Sequence, residues 1–209
     1  MSDANDNKAV CDVGLVFHPD WLKQCERIPY IPKKRVSFVP VPDCTTAMLK
    51  ACPHFLQTAM TMSLIKSYGL VDHLKVLGCR KATREEMESF HSSDYLDFCQ
   101  IGSEQRSEED EFRMSYDCVV LPKTFSLMEW VAGASVSAAQ ALVSGKVRAA
   151  INWGGGWHHA QRENASGFCY VNDVVLAILA LRKKFDRVLY VDLDIHHGNQ
   201  KTFCRHSCR

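Results

Sequence analysis

Hydrophobic positions along the chain alternate between short continuous runs and longer helical stripes. Val13-Gly14-Leu15-Val16-Phe17 is an apolar run stopped by Pro19, the pattern of a buried strand. Over residues 60–77 the spacing predicts a helix, with Met62, Leu64, Ile65, Leu70 and Leu74 on its apolar stripe and Gly69 weakening it. Thr83-Arg84-Glu85-Glu86 has capping-box spacing and predicts a second helix running through Phe98. From Leu127 to Ser144 the small residues Ala132, Gly133, Ala134, Ser135, Ala138 and Ala139 predict a closely packed helix, ended by Gly145.

The last third repeats the alternation most clearly. Val147 to Trp153 predicts a strand, Gly154-Gly155-Gly156 a turn, and Val171 to Phe185 a helix starting near Asn172-Asp173. Arg187 to Leu193 then predicts a continuously apolar strand. Strand, helix and strand of these lengths make a right-handed βαβ crossover. The expected fold is therefore α/β, a parallel sheet with helices on both faces. In such sheets ligands bind beyond the carboxyl ends of the strands. His158-His159 follows one predicted strand and Asp194-x-His196 ends the next, so both clusters reach one crevice. Ser103 to Glu111 reads as a solvated acidic loop. Residues 36–59, with Pro40, Pro42 and Pro53 and no period, read as an inserted loop.

Composition narrows the class without naming it. The 209 residues are 46% hydrophobic and 23% charged, which suits one domain with a core and excludes disorder. A formal net charge of +1 gives no basic excess, so no direct nucleic-acid binding is expected. No early apolar stretch reads as a signal peptide or membrane span, and no membrane partner is expected. The 10 cysteines are scattered, as for buried or free thiols in a reducing compartment. Cys204, His206 and Cys208 form only a short, isolated metal-like cluster.

The chemistry concentrates in Tyr190-Val191-Asp192-Leu193-Asp194-Ile195-His196-His197. Alternation along an extended segment places Asp192, Asp194 and His196 on one face. Asp194 and His196 suit zinc or another first-row divalent ion. The competing reading has the two aspartates capping a neighbouring helix and His196 as a polar strand end. His158 and His159 follow a glycine-rich turn that lets the backbone approach a substrate, and adjacent histidines suit two roles, a base and its electrostatic partner. Against that stands a pair of plain loop histidines. Asp192 is placed to fix the tautomer of one of them. Gly167-Phe168-Cys169-Tyr170 reads either as an aromatic channel wall, with the Gly167 carbonyl offered to a substrate amide, or as a hydrophobic lead-in to the helix. Asp117 is a turn residue or an anchor for a peptide backbone.

Three long motifs together resemble the metal-dependent class I histone deacetylases: Ile151-Asn152-Trp153-Gly154-Gly155-Gly156-Trp157-His158-His159-Ala160, Ala165-Ser166-Gly167-Phe168-Cys169-Tyr170-Val171-Asn172-Asp173 and Val191-Asp192-Leu193-Asp194-Ile195-His196-His197-Gly198. Tyr116-Asp117-Cys118, with Phe90-His91 and Asp94-Tyr95-Leu96, narrows the likeness to one branch of that class. The resemblance implies an arginase/deacetylase-like α/β sheet and hydrolysis of N6-acetyl-lysine in histone tails or other acetyl-lysine proteins. By the same resemblance, Asp194 and His196 bind Zn2+ (or another divalent ion such as Fe2+), His159 is the general base and His158 its partner. Asp192 orients His158 and joins Asp194 and His196 in a K+ site. Phe168 lines the acetyl-lysine channel, and Asp117 and Gly167 hold substrate. Nuclear and cytoplasmic residence is expected, with Lys33-Lys34-Arg35 as the nuclear hint.

The likeness also marks departures. The family supplies a second zinc-binding aspartate, an oxyanion tyrosine and a glycine-rich loop beyond the last shared motif, and none has a counterpart here. Asn199-Gln200 stands where the family has Asp-Gly, whose aspartate pairs with the general base. The expectation is a partial catalytic domain over residues 12–198, interrupted by the insertion at 36–59, C-terminally incomplete and followed by an aberrant tail at 199–209. Activity is expected to be low or absent, leaving a non-catalytic interaction or decoy module as the alternative. Arginase-type or polyamine-directed hydrolysis is disfavoured by Phe168-Cys169-Tyr170.

Overall fold

The structure is a computed structural model describing residues 12–16, 53–101, 118 and 124–198, without the side chains of 53–57 and 59. Strand β1 is Val13–Val16 and helix α1 Pro53–Ser67, followed by a 3-10 turn at Leu70–His73 and strand β2 at Lys75–Leu77. Helices α2 (Arg84–Glu88), α3 (Ser93–Gln100) and α4 (Thr124–Val143) come next, then β3 (Ala149–Ile151) and α5 (Asp173–Arg182). The three strands form one sheet in the order β2-β1-β3. Both pairings are parallel, with Leu15 opposite Val76 and Ile151.

Alternation along β1 divides the core. Leu15 points to one face and packs with Met62 and Ile65 of α1. Val16 and Leu77 point to the other, against Ala134 and Ala141 of α4 and Val147. Helices therefore cover both faces, as a parallel sheet requires. The small residues of α4 have a specific use. A Cβ on Gly133 would lie 1.9 Å from the Arg80 carbonyl oxygen and 2.5 Å from the Ala82 nitrogen. That backbone approach lets the Ala82 amide donate to the Glu129 carbonyl at 2.8 Å.

Several predicted elements differ from the observed ones, each for a local reason. The helix expected over 60–77 begins at Pro53, inside the segment read as a loop, and ends at Ser67. Gly69 takes the left-handed conformation (φ 67°) and terminates it, freeing Lys75–Leu77 to pair with β1. The capping box at Thr83 is present, but its helix stops at Glu88. Ser92 caps a fresh helix there, accepting from the Tyr95 amide, and the break turns Phe90 and His91 inward, 8% and 1% exposed. The strand expected over 147–153 shortens to Ala149–Ile151, and the helix expected over 171–185 to Asp173–Arg182 with Asn172 as its cap.

The largest correction concerns Arg187 to Leu193, which pairs with no strand among the described residues. The aspartate side chains explain part of this. Asp192 accepts the Asp194 amide at 3.0 Å and Asp194 accepts the His196 amide at 2.7 Å. Local side-chain acceptors of this kind compete with a ladder for the same donors. The opposite edge of the segment is bare: Leu189, Leu193 and Ile195 are 87%, 92% and 92% exposed. The expected βαβ crossover is thus not closed among the described residues. The readings for residues 36–52, 103–111 and 199–209, for Asp117, and for the Cys204-His206-Cys208 cluster lie outside them.

Candidate active site

Two irregular segments meet to build the site. The first is the turn from Asn152 to His159, which leaves β3; the second is the extended stretch from Tyr190 to His197. His158 is buried at 7% exposure, and its Nδ1 lies 2.6 Å from Asp192 Oδ2. An ionised carboxylate only accepts, so Nδ1 carries the proton and Nε2 is left open. Nε2 lies 4.0 Å from Asp194 Oδ1. The His159 ring sits 4.2 Å from that of His158 and 6.0 Å from that of His196. Sequence reading and structure thus bring His158, His159, Asp192, Asp194 and His196 into one cluster.

Electrostatics divide its labour. Burial pushes the Asp192 carboxyl up, but hydrogen bonds from His158, the Asp194 amide and the Tyr190 hydroxyl hold it down to about 2. The Tyr190 bond is 2.8 Å, a partner that reading by motif passed over because tyrosine blends into an apolar strand. Desolvation lowers the pKa of His159, and the neighbouring His158 and His196 rings lower it further. The backbone amide of His196, then its ring, lower that of Asp194.

Gly167 and Phe168 form a second wall. Ser166 and Cys169 exchange backbone hydrogen bonds of 3.0 and 2.9 Å around them. Both intervening residues are left-handed, φ 53° at Gly167 and 64° at Phe168. Such a turn favours glycine or asparagine, so the phenylalanine is held there against its backbone preference. It is 39% exposed. A Cβ on Gly167 would fall 2.6 Å from His159 Cδ2 and 2.7 Å from its Cγ. Gly167→Ala is accordingly expected to lower stability by about 1–2 kcal/mol through the left-handed penalty, and to displace the His159 ring. A denaturant melt and the His159 ring resonances check both effects.

The donors for a metal ion are right in kind and short in number. Asp194 Oδ1 and His196 Nδ1 are carboxylate and imidazole, 2.8 Å apart, and hydrogen-bonded to each other. An ion would have to displace that bond and its proton. Catalytic zinc takes about three protein donors. Among the described residues no group of three or more His, Cys, Asp or Glu converges as a metal site.

Comparison with known proteins resolves what this cluster descends from. The histone deacetylase domain profile matches residues 52–206. The chain belongs to the histone deacetylase family. It is 39% identical over 203 residues to histone deacetylase 8 of Danio rerio, covering 95% of this chain and 48% of that protein. Identity to histone deacetylase 8 of Xenopus tropicalis is 47% over 147 residues, 68% of this chain and 40% of the relative. Human histone deacetylase 1 matches at 42% over 152 residues, 70% of this chain and 31% of its own length. These matches support class I and the likeness to histone deacetylase 8 carried by Phe90-His91 and Tyr116-Asp117-Cys118. The chain spans about half the length, or less, of these deacetylase relatives. The fold class is the arginase/deacetylase α/β type, and metal dependence is general to the family. Among the described residues no helix is long and apolar enough to cross a membrane.

Proposed function

We propose that this chain carries the histidine-pair half of a protein lysine deacetylase site, acting on N6-acetyl-lysine in histone tails or other proteins in the nucleus and cytoplasm. The observation that carries the reading is the 2.6 Å bond from His158 to Asp192 beside a His159 ring facing His196. Asp192 fixes the His158 tautomer, so Nε2 presents its lone pair to the cleft and donates only after it has itself taken up a proton. His159, held neutral by partial burial and its two imidazole neighbours, takes the proton from the attacking water. The pair then returns a proton to the leaving lysine amine, which avoids expelling an amide anion. Asp194 and His196 are the donors offered to Zn2+, or another divalent ion such as Fe2+, which when bound polarises an amide carbonyl and acidifies water. Asp192, Asp194 and His196, the last through its backbone carbonyl, would also supply oxygens to a K+ site. Phe168 forms the channel wall, with Gly167 and Asp117 as substrate contacts.

With two metal donors among the described residues, turnover is expected to be slow and chelator-sensitive. Zinc stoichiometry measured beside hydrolysis of a fluorogenic acetyl-lysine peptide tests this, with an acetyl-polyamine as control substrate. Zinc-dependent release of acetate from the peptide alone supports the reading; zinc binding without turnover of either substrate, or polyamine preference, defeats it. One observation favours a second reading, a non-catalytic interaction module: Leu189, Val191, Leu193 and Ile195 stand 63–92% exposed beside Asp194 and His196. That module would retain an acetyl-lysine peptide without hydrolysing it.

A further inference from the structure

We propose that Asp173, with Ser135 and Asn152, is a positioning device that sets the direction in which the histidine pair leaves its turn. The inference rests on the reading of His158 and His159 as the proton-handling groups. Asp173 is 1% exposed and opens α5, where a carboxylate would ordinarily serve its own helix. Its side chain serves chiefly the turn, with its own amide as a lesser partner. Oδ1 accepts the Trp157 amide at 2.8 Å and Oδ2 the Gly156 amide at 3.1 Å. Capping of α5 falls to Asn172, whose Oδ1 accepts the Val175 amide at 3.1 Å.

The remaining contacts complete a buried relay. The Ser135 hydroxyl, from the small-residue stripe of α4, donates to Asp173 Oδ2 at 2.5 Å. It accepts in turn from Asn152 Nδ2 at 2.8 Å, and Asn152 Oδ1 accepts the Gly154 amide at 3.1 Å. The amides of Gly154, Gly156 and Trp157 are thereby tied to the side chains of Asn152 and Asp173, with Ser135 bridging the two. A Cβ on Gly155 would meet Asp173 Oδ2 at 2.4 Å, Ser135 Oγ at 2.7 Å and Asn152 Nδ2 at 2.8 Å. The glycine is thus required by this polar plug and not only by the turn. A buried carboxylate is costly unless its acceptors are filled, and here the amides immediately before His158 help to fill them. Asp173 touches neither imidazole, so it acts through the backbone.

The test uses the full 209-residue chain, labelled at histidine nitrogen, without added metal or substrate. Asp173→Asn presents an NH2 to at least one of the donors that Asp173 now accepts. The expected result is a native circular dichroism spectrum, amide exchange at Trp157 faster by about tenfold or more, and loss of the low-field His158 Nδ1 proton bonded to Asp192. A folded variant that keeps that proton at its wild-type shift overturns the proposal, because a purely structural carboxylate would leave the His158–Asp192 bond unmoved. If Asp173→Asn does not fold, Ser135→Ala decides. Faster Trp157 exchange with a displaced His158 signal supports the relay, and an unchanged signal overturns it. Neither readout depends on turnover, so an inactive chain counts against the deacetylase reading alone.

Discussion

Asp192→Asn is expected to lower turnover of an acetyl-lysine peptide about 10⁴-fold, the scale seen when a serine-protease triad loses its carboxylate. Asp192 accepts three donors: His158 Nδ1 at 2.6 Å, the Tyr190 hydroxyl at 2.8 Å and the Asp194 amide at 3.0 Å. An asparagine has one accepting atom, so its NH2 must face either the Asp194 amide or the His158 and Tyr190 donors. The second arrangement drives His158 to its other tautomer, and the first loses the bond that holds the aspartate segment. A second consequence needs no activity. The folded carboxyl lies at about 2 against 3.8 for the free group, so it contributes stability above the unfolded value that is lost as pH falls through the folded one. With a fifth of the side chain exposed, solvent screening trims this to about 1–2 kcal/mol. Urea midpoints between pH 4 and 2 should fall more steeply in the wild type than in the variant, which starts lower and keeps the slope from Asp194 and the other depressed carboxylates. A variant with wild-type turnover and an unchanged acid slope would remove Asp192 from the mechanism.

The elements that were legible in the sequence are those whose signals are local. The capping box at Thr83, the Gly145 stop and the Asn172 cap each depend on residues within one turn, and each is found where the spacing puts it. Gly69 was legible as a weakness but not as the terminus of a helix, because the strand that follows gains its stability from β1 some sixty residues earlier in the chain, opposite Lys75–Leu77. The run from Arg187 to Leu193 misled for the converse reason. Its composition is that of a buried parallel strand, yet a strand needs a neighbour, and among the described residues none lies beside it. The clustering of the histidine pair with the aspartate segment was predictable because both motifs follow apolar runs toward one crevice. Asp173 and Ser135 were hidden by respectable local roles, a helix start and a small packing residue. Only their placement against the turn reveals a shared purpose. The available signal was an acid opening a helix that is apolar up to its last residue, and a hydroxyl within the small-residue stripe of α4.

His91 should make the fold acid-sensitive in a window that no carboxylate explains. The ring is 1% exposed. Its Nδ1 lies 3.2 Å from the Arg162 carbonyl oxygen, and its Nε2 accepts the Asn172 amide at 3.0 Å. A carbonyl can only accept, so Nδ1 carries the single proton, and protonating Nε2 would set N–H against N–H. Burial pushes the pKa down to about 4. The unfolded chain, with an ordinary imidazole near 6.5, therefore binds more protons than the native state between those values. Stability from His91 is complete above the unfolded pKa and declines as pH falls toward the folded one. The integrated loss is about 3 kcal/mol, of which about 2 kcal/mol is gone at pH 5. His159 adds a smaller slope of the same sign, so the difference between proteins is the decisive quantity. His91→Phe keeps the ring shape but strands the Asn172 amide and weakens the hold on Arg162, which bonds back to the Phe90 carbonyl at 2.9 Å. It should cost about 1–3 kcal/mol at pH 7, chiefly from the stranded amide of buried Asn172, and flatten the profile between pH 6.5 and 4. Arg162 and Asn172 flank the turn at Gly167 and Phe168, so that turn should loosen with it. Urea melts across that range decide the matter: a variant retaining the wild-type slope would show that some other group takes up the proton.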